Sequence, residues 1–273
     1  MVSTFSLVCM IISAILIFLL PLGLVVYLYR TEKISLLAVG AGCLVFTFFQ
    51  YLIRFPLLFI LNGNPQFQQL MQNLFFSAVI IGGLTAGFFE EAGRFLAFRY
   101  LLKKEDLSWQ NGVAYGLGHG GIEAIGLAGF ICLSNIAVSL AINNGSFAQL
   151  IGAELDAATA EQIKNQLVNT PSTAFLLSGL ERFFSITIQI GLSLLVLYGV
   201  TKGKLRYLLY AILLHTLVNA SSVLMTNLGV NIWLVELYIC FLAILALVWI
   251  FRARPLLTQT SASGSEEGVT GEE

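Results

Sequence analysis

The chain has 273 residues, of which 58% are hydrophobic and only 11% are charged, and its net charge at pH 7 is -1. Its mean hydropathy of +0.87 is far above that of a water-soluble globular domain of this length. These values indicate an integral membrane protein. The net charge of -1 and the lack of a basic patch interleaved with aromatic residues argue against a nucleic-acid partner.

Stretches of about 20 apolar residues predict membrane-spanning helices. In chain order they fall at about 5–29, 35–60, 73–101, 108–142, 173–200, 207–226 and 232–251. The fourth stretch is longer than one span needs, which predicts either a short helix leading into it or a kinked span that emerges near Asn143. The predicted fold class is therefore all-α, a polytopic helical bundle with about seven transmembrane helices.

The lysines and arginines predict how this bundle is oriented. With the N-terminus outside, ten of the 14 basic residues fall on the cytoplasmic side, three lie within spans and only Lys164 is left outside. Because cytoplasmic loops are enriched in basic residues, the topology is predicted to be N-out, C-in, in the cell membrane. Residues 1–254 then form a single transmembrane domain, and the acidic tail 255–273 is predicted to be disordered and cytoplasmic.

The longest loop, about 143–172, is external in this topology. Its stretch Ala153–Val168 has a helix-forming composition, and its apolar residues recur on one helical face. These residues are Leu155, Ile163 and Leu167, in one row with Ile151 just before the stretch. We therefore expect a helix that lies at the outer surface of the membrane.

Ionisable residues inside the predicted spans are the candidates for function, because charged groups at membrane depth are costly. Three strings on three different helices carry them, and they include the only two histidines of the chain. The strings are E-E-A-G-R from Glu90 to Arg94, G-L-G-H-G-G-I-E from Gly116 to Glu123, and H-T-L-V-N from His215 to Asn219.

Helix geometry places these strings at one depth. At the usual rise per residue, Glu90 and His119 lie about 16 Å from the cytoplasmic ends of their helices, and His215 lies about 14 Å from its own. Glutamate, histidine and asparagine can together activate a water molecule and stabilise an oxyanion, which predicts a hydrolase site. Glycines crowd the same level, and we expect them to bring the third and fourth spans close together.

Spacing along the helices separates the roles of the acidic residues. Glu90 and Glu91 point about 100° apart, so one is expected to be catalytic and the other structural. Arg94 lies three residues after Glu91 and four after Glu90, so either can be its partner. Glu123 lies one turn after His119, where it can bind a metal, pack as a polar residue or, as we favour, orient the imidazole.

A second polar group is predicted nearer the outer face. Arg54 and Arg182 lie about 28 Å from the cytoplasmic ends of their helices, at a depth similar to those of Glu181 and Glu236. Such residues favour an ion-paired structural cluster. Alternatively, if the fifth span is broken or re-entrant, Glu181 and Arg182 extend towards the hydrolase site.

The three strings resemble the YhfC family of intramembrane metalloproteases and are similar to the CAAX-prenyl and bacteriocin-processing proteases and the PrsW proteases. The family pattern is a double glutamate with a following basic residue, then an aromatic-x-x-x-histidine motif, then a histidine-x-x-x-asparagine motif. The matching residues are Glu90, Glu91 and Arg94, then Tyr115 and His119, then His215 and Asn219. The resemblance covers about 73–225. CAAX-type enzymes have three residues between the second glutamate and the arginine, where this chain has two, Ala92 and Gly93. The family order favours Glu90 as the base, with Glu91 as the partner of Arg94, and the shorter spacing leaves the reverse assignment open.

The resemblance implies a peptidase that acts on a membrane-associated protein or peptide, with membrane lipid as its other partner. In a zinc-dependent version His119, His215 and Glu90 would hold the ion. In a metal-free version Glu90 and His119 would act on water, while His215 and Asn219 stabilise the oxyanion.

Other residues are expected to support this site rather than to react, namely Tyr115, Glu123, Glu181 and Arg182. The alternative hypothesis for the whole chain is a proton-coupled transporter or channel, because chains of glutamate and histidine also form proton relays.

Overall fold

The computed structural model describes residues 1–103, 105, 107–150 and 155–266, with side chains to residue 257. These residues form ten helices and no β-strand. In chain order the helices are α1 (Thr4–Thr31), α2 (Leu36–Asn62), α3 (Pro65–Met71), α4 (Phe76–Leu101), α5 (Trp109–Asn144), α6 (Phe147–Leu150), α7 (Ala157–Asn169), α8 (Ser172–Thr201), α9 (Arg206–Asn227) and α10 (Ile232–Glu266).

Six of these helices are long and apolar enough to cross a membrane, namely α1, α2, α5, α8, α9 and α10. The pair α3 and α4 passes the same test together, so the described residues contain up to seven spans. Large apolar side chains such as Leu44 and Phe130 are exposed along these helices, as expected where lipid replaces water. The chain is therefore an all-α, multi-pass integral membrane protein, which confirms the fold class predicted from composition.

The third span is bent at its start. α3 and α4 meet at an angle of 98°. The side chain of Asn73 accepts a hydrogen bond from the backbone N–H of Phe76 and so caps the first turn of α4. The predicted span 73–101 thus corresponds to α4 alone, and the short helix before it runs in another direction.

Four segments of these helices are π-helical, a conformation that is often found at functional sites. They are Phe48–Arg54 in α2, Phe76–Thr85 and Ala97–Leu101 in α4, and Ala124–Gly129 in α5. The over-long fourth stretch is accordingly one continuous helix with a wide turn near its middle. The left-handed backbone of Gly145, with φ of 82°, ends it.

The residues cluster into two compact units. The first comprises Met1–Leu22 and Glu123–Phe183, and the second comprises Gly23–Ile122 and Phe184–Glu273. The sequence predicted a single transmembrane domain over 1–254. The unit boundaries fall inside α1, α5 and α8, where apolar sequence continues on both sides and gives no sign of a boundary.

In the first unit, α7 occupies the predicted external loop. It starts directly after Asp156, whose carboxylate accepts hydrogen bonds from the hydroxyl and the backbone N–H of Thr159, and these bonds lower the pKa of Asp156. Ile163 and Leu167 pack into the core of this unit, so the predicted apolar face is covered by protein. Residues 151–154, which the prediction included in the helix, lie outside the described residues.

In the second unit, α10 is longer than predicted. It continues beyond Pro255 to Glu266, whereas the sequence predicted disorder from residue 255. A proline removes only one intrahelical hydrogen bond, and the preceding turn is held by an ion pair of Arg254 with Glu32 at 2.7 Å. The guanidinium of Arg254 also lies 4.7 Å from the ring centre of Trp109. Residues 267–273 lie outside the described residues.

The distribution of basic residues makes a direct prediction about topology. A reporter fused after Arg254 is expected to be cytoplasmic, and one inserted near Gln162 is expected to be external, because three spans separate the two positions. Protease protection or cysteine labelling of sealed cells measures both. Finding the two reporters on the same side would contradict the N-out, C-in topology.

Candidate active site

The acidic pair of α4 is buried in the second unit. Glu91 and Arg94 are 0% exposed and Glu90 is 5% exposed. The Nη1 atom of Arg94 donates to both carboxylate oxygens of Glu91, at 2.7 and 2.8 Å. The predicted pairing of Arg94 with Glu91, rather than with Glu90, is confirmed. This ion pair compensates two charges that would otherwise be buried alone.

Both histidines approach the same oxygen of Glu90. The Nε2 atom of His119, on α5, lies 2.9 Å from Glu90 Oε2, and the Nε2 atom of His215, on α9, lies 3.7 Å from it. The other ring nitrogen of His215, Nδ1, lies 2.8 Å from Glu91 Oε1. Because an ionised Glu91 only accepts, Nδ1 of His215 donates this hydrogen bond, and Nε2 is the ring nitrogen that faces Glu90. The three strings predicted to share one depth therefore meet in one cluster.

Glycines let α2 approach α5 closely enough to pack behind His119. A Cβ atom on Gly118 would lie 2.0 Å from the carbonyl oxygen of Val39, and one on Gly42 would lie 2.2 Å from that of Tyr115. No residue larger than glycine fits at such distances. The backbone that carries His119 is thus positioned by direct contact between helices.

Glycines of α4 make the corresponding contact with α9. A Cβ atom on Gly83 would lie 2.9 Å from the carbonyl oxygen of Thr216, and one on Gly87 would lie 3.3 Å from the Cβ of His215. The glycines were expected to join α4 to α5, and that expectation was wrong. Gly83 and Gly87 of α4 face α9, and Gly116, Gly118 and Gly120 of α5 face α2 or α8. Glu90 and His119 meet through their longer side chains.

Two glutamines that the sequence analysis did not single out also contact Glu90. The Nε2 atom of Gln50 donates to Glu90 Oε1 at 2.5 Å, and that of Gln189 donates to Glu90 Oε2 at 3.3 Å. Both glutamines are buried. They were not predicted, because the candidates were the ionisable residues within the spans and a glutamine amide is uncharged. The available signal was the position of Gln50 one turn before Arg54, on the same helical face.

A family model described as YhfC intramembrane metalloprotease matches residues 16–239 of the chain. The chain belongs to this family. It is also 39% identical over 258 residues to the Uncharacterized membrane protein YhfC of Bacillus subtilis (strain 168), an alignment that covers 93% of this chain and 98% of that relative. No solved structure matches the chain. All residues that contact Glu90 lie within the range matched by the YhfC model.

The name of the YhfC family implies a metal ion, and the cluster contains residues that can hold one. Ligand atoms of Glu90, His119 and Glu123 lie within 4.8 Å of one another. Glu123 lies one turn after His119 and is the last residue of the α-helical segment of α5 that carries this histidine. The sequence favoured an orienting role for Glu123, but the Nδ1 atom of His119 has no hydrogen-bond partner among the described residues. Glu123 is thereby a candidate ligand, as His215 is.

Two further motif residues of the YhfC-like pattern lie beside the cluster. The ring of Tyr115 is centred 4.7 Å from that of Phe98 and 6.2 Å from that of His119, so it limits the movement of the imidazole. Asn219 is half-buried one turn after His215. Within the described part of the chain, no hydrogen bond joins it to the glutamates or histidines.

Of the residues predicted to form an outer polar cluster, Arg54 has other partners. Arg54 donates to the hydroxyl of Thr85, to the amide oxygen of Gln50 and to the carbonyl oxygen of Ile81, so it belongs to the surroundings of Glu90. Arg182 forms an ion pair with its neighbour Glu181, in the first unit, as predicted. These two residues lie on α8, which is continuous from Ser172 to Thr201, and the condition for their reaching the site, a broken helix, is therefore not met.

Proposed function

We propose that the chain hydrolyses a peptide bond of a membrane-associated protein or peptide, within the membrane. The observation that carries this proposal is the convergence of the Nε2 atoms of His119 and His215 on Glu90 Oε2, at 2.9 and 3.7 Å, on helices that can span a bilayer. Membership of the YhfC family supports peptide hydrolysis over the alternative of a proton-coupled transporter or channel. The partners of the site are then membrane lipid and the substrate protein.

Glu90 is the proposed general base. A general base must lie within hydrogen-bonding reach of the group from which it takes a proton and of the group to which it passes that proton. Glu90 is in contact with His119, which can take the proton on. In the metal-free form of the site, Glu90 takes a proton from the attacking water and passes it through His119 to the leaving amine. Asn219, on the same helical face as His215, is proposed to donate to the oxyanion of the tetrahedral intermediate.

Glu91 and Arg94 are proposed to support this chemistry without touching the substrate. The carboxylate of Glu91 accepts from Nδ1 of His215, which fixes the tautomer and the ring orientation. Arg94 holds Glu91 in place and compensates its charge. His215 therefore presents Nε2 to the site in a fixed orientation.

We further propose that the implied metal is zinc, held by His119, His215 and Glu90, with Glu123 as the alternative to His215. Two imidazoles and a carboxylate are a common ligand set for catalytic zinc. His215 Nε2 lies 3.7 Å from a carboxylate oxygen, and when Nε2 is unprotonated these two electron donors fit a cation. When bound, zinc activates a water molecule and polarises the scissile carbonyl.

Reconstitution tests the function and the metal together. Purified protein in liposomes that contain membrane proteins of the producing cell is expected to generate new protein N-termini, as measured by N-terminal profiling. A strong chelator is expected to abolish these termini, and added zinc is expected to restore them. The matched control is Glu90→Gln in the same liposomes, which is expected to generate none.

Two outcomes would contradict the proposal in different ways. Identical N-terminal profiles for the wild type and Glu90→Gln would refute peptide hydrolysis by this site. New termini from a preparation that elemental analysis shows to be metal-free would refute the zinc assignment, and Glu90 and His119 would then act on water directly.

A further inference from the structure

An arginine holds each glutamine that contacts Glu90. On α2, the amide oxygen of Gln50 accepts from Nη1 of Arg54 at 3.0 Å, while its Nε2 donates to Glu90 Oε1. On α8, the amide oxygen of Gln189 accepts from Nη2 of Arg94 at 2.6 Å, while its Nε2 donates to Glu90 Oε2. Two chains of hydrogen bonds, each running from an arginine through a glutamine to Glu90, therefore meet at this carboxylate, one through α2 and one through α8.

The chemistry of arginine determines which way each amide points. A guanidinium group only donates hydrogen bonds, so the group that faces it must be the amide oxygen. The amide NH2 group must then face Glu90. If either amide were reversed, its NH2 group would face the guanidinium donors and its oxygen would face a carboxylate oxygen, and two hydrogen bonds would become two repulsive contacts.

Burial makes these contacts costly to lose. Gln50 is 2% exposed, Gln189 is 5% exposed and Arg54 is 8% exposed, so water cannot replace their partners freely. Arg54 is itself held by Thr85 and by the carbonyl oxygen of Ile81, at 3.0 and 2.8 Å. The amide of Gln50 is therefore oriented by an arginine with its own fixed position.

We propose that Gln50 and Gln189 are positioning residues for Glu90, each oriented by its arginine, and that Arg54 acts on the site chiefly through Gln50. This inference rests on the proposed peptidase function. Together the two amides engage both oxygens of Glu90 and hold Oε2 towards the two imidazoles. Without them the carboxylate is free to rotate away from His119.

A double-mutant cycle on α2 tests this arrangement. Gln50→Leu and Arg54→Leu are each expected to lower kcat by about 10–100-fold, the usual effect of removing a group that orients a catalytic ligand. KM for a membrane protein cleaved by the wild type is expected to change by less than about twofold, because neither residue touches the substrate. The double variant is expected to lose no more than either single variant.

Matched controls separate positioning from a general effect on folding. Thr47 lies one turn before Gln50 and its hydroxyl bonds only to the carbonyl oxygen of Cys43 among the described residues, so Thr47→Val is expected to retain wild-type kcat. Arg54→Lys keeps a donor for Gln50 and is expected to recover most of the activity lost in Arg54→Leu. Multiplicative losses in the double variant, or equal losses in Arg54→Lys and Arg54→Leu, would overturn the proposal.

An infrared measurement tests the positioning of Glu90 without any substrate. The carboxylate band of Glu90, identified as the difference between the wild type and Glu90→Gln, is expected to shift in both Gln50→Leu and Arg54→Leu. An unchanged band would overturn the proposal. A shifted band in a protein that cleaves no membrane protein would instead refute the peptidase function and leave the positioning of Glu90 supported.

Discussion

Replacing either His119 or His215 by alanine is expected to abolish peptide hydrolysis in a protein that remains folded. The expected loss in kcat is about 10²–10⁴-fold, the range for removing a general acid or base. Loss of His119 leaves Glu90 bonded to Gln50 and Gln189, and loss of His215 leaves Glu91 paired with Arg94. Neither deletion therefore leaves a buried carboxylate without a partner.

The histidine variants are compared with Ser222→Ala, on the same helix as His215. The hydroxyl of Ser222 bonds to the carbonyl oxygen of Val218 in its own helix, so this change is expected to keep wild-type activity. Thermal unfolding in detergent measures whether each variant is folded. Wild-type turnover by either histidine variant would remove that histidine from the site, and unfolding of both would favour a structural role.

The second large effect separates the two glutamates. Glu90→Gln keeps the shape of the side chain but removes the proposed base, and a loss of about 10²–10⁴-fold in kcat is expected. Glu91→Gln is expected to retain more activity, because its amide oxygen can still accept from Nδ1 of His215. It leaves the buried Arg94 without a counter-ion, and so the free energy of unfolding is expected to fall by about 3–5 kcal/mol.

Activity and stability are measured on both glutamate variants. We expect opposite rankings, with Glu90→Gln the less active protein and Glu91→Gln the less stable one. If Glu90→Gln retained more activity than Glu91→Gln, the base would be Glu91 and the roles would be exchanged. Equal activity in both variants and the wild type would exclude the acidic pair from the reaction.

The sequence alone was sufficient to predict the class of protein and the limits of most of its helices. The predicted spans 173–200 and 207–226 differ from α8 and α9 by one residue at each end. Hydropathy predicts such segments well because a bilayer requires long apolar helices whose backbone is satisfied internally. Because ionisable side chains are costly within such apolar helices, Glu90, His119 and His215 could be recognised as exceptional.

The tertiary structure alone determined which polar groups touch. The direction in which each helix faces depends on contacts with other helices, such as Gly118 with Val39, and these cannot be read from one segment. Arg54 was therefore assigned to the wrong neighbours, and Gln189 was missed. Helical spacing places Gln50 and Arg54 on one face of α2, but it does not predict that this face turns towards Glu90 of α4.

The different roles of Glu90 and Glu91 also could not be decided from the sequence alone. Spacing allowed Arg94 to pair with either one, since residues three and four apart both share a helical face. The pairing with Glu91 depends on His215 of α9 and Gln189 of α8, which approach from other parts of the chain. Helix propensity and hydropathy are local properties, whereas the partners of a buried charge are selected by the packing of distant helices, and only the folded chain contains that information.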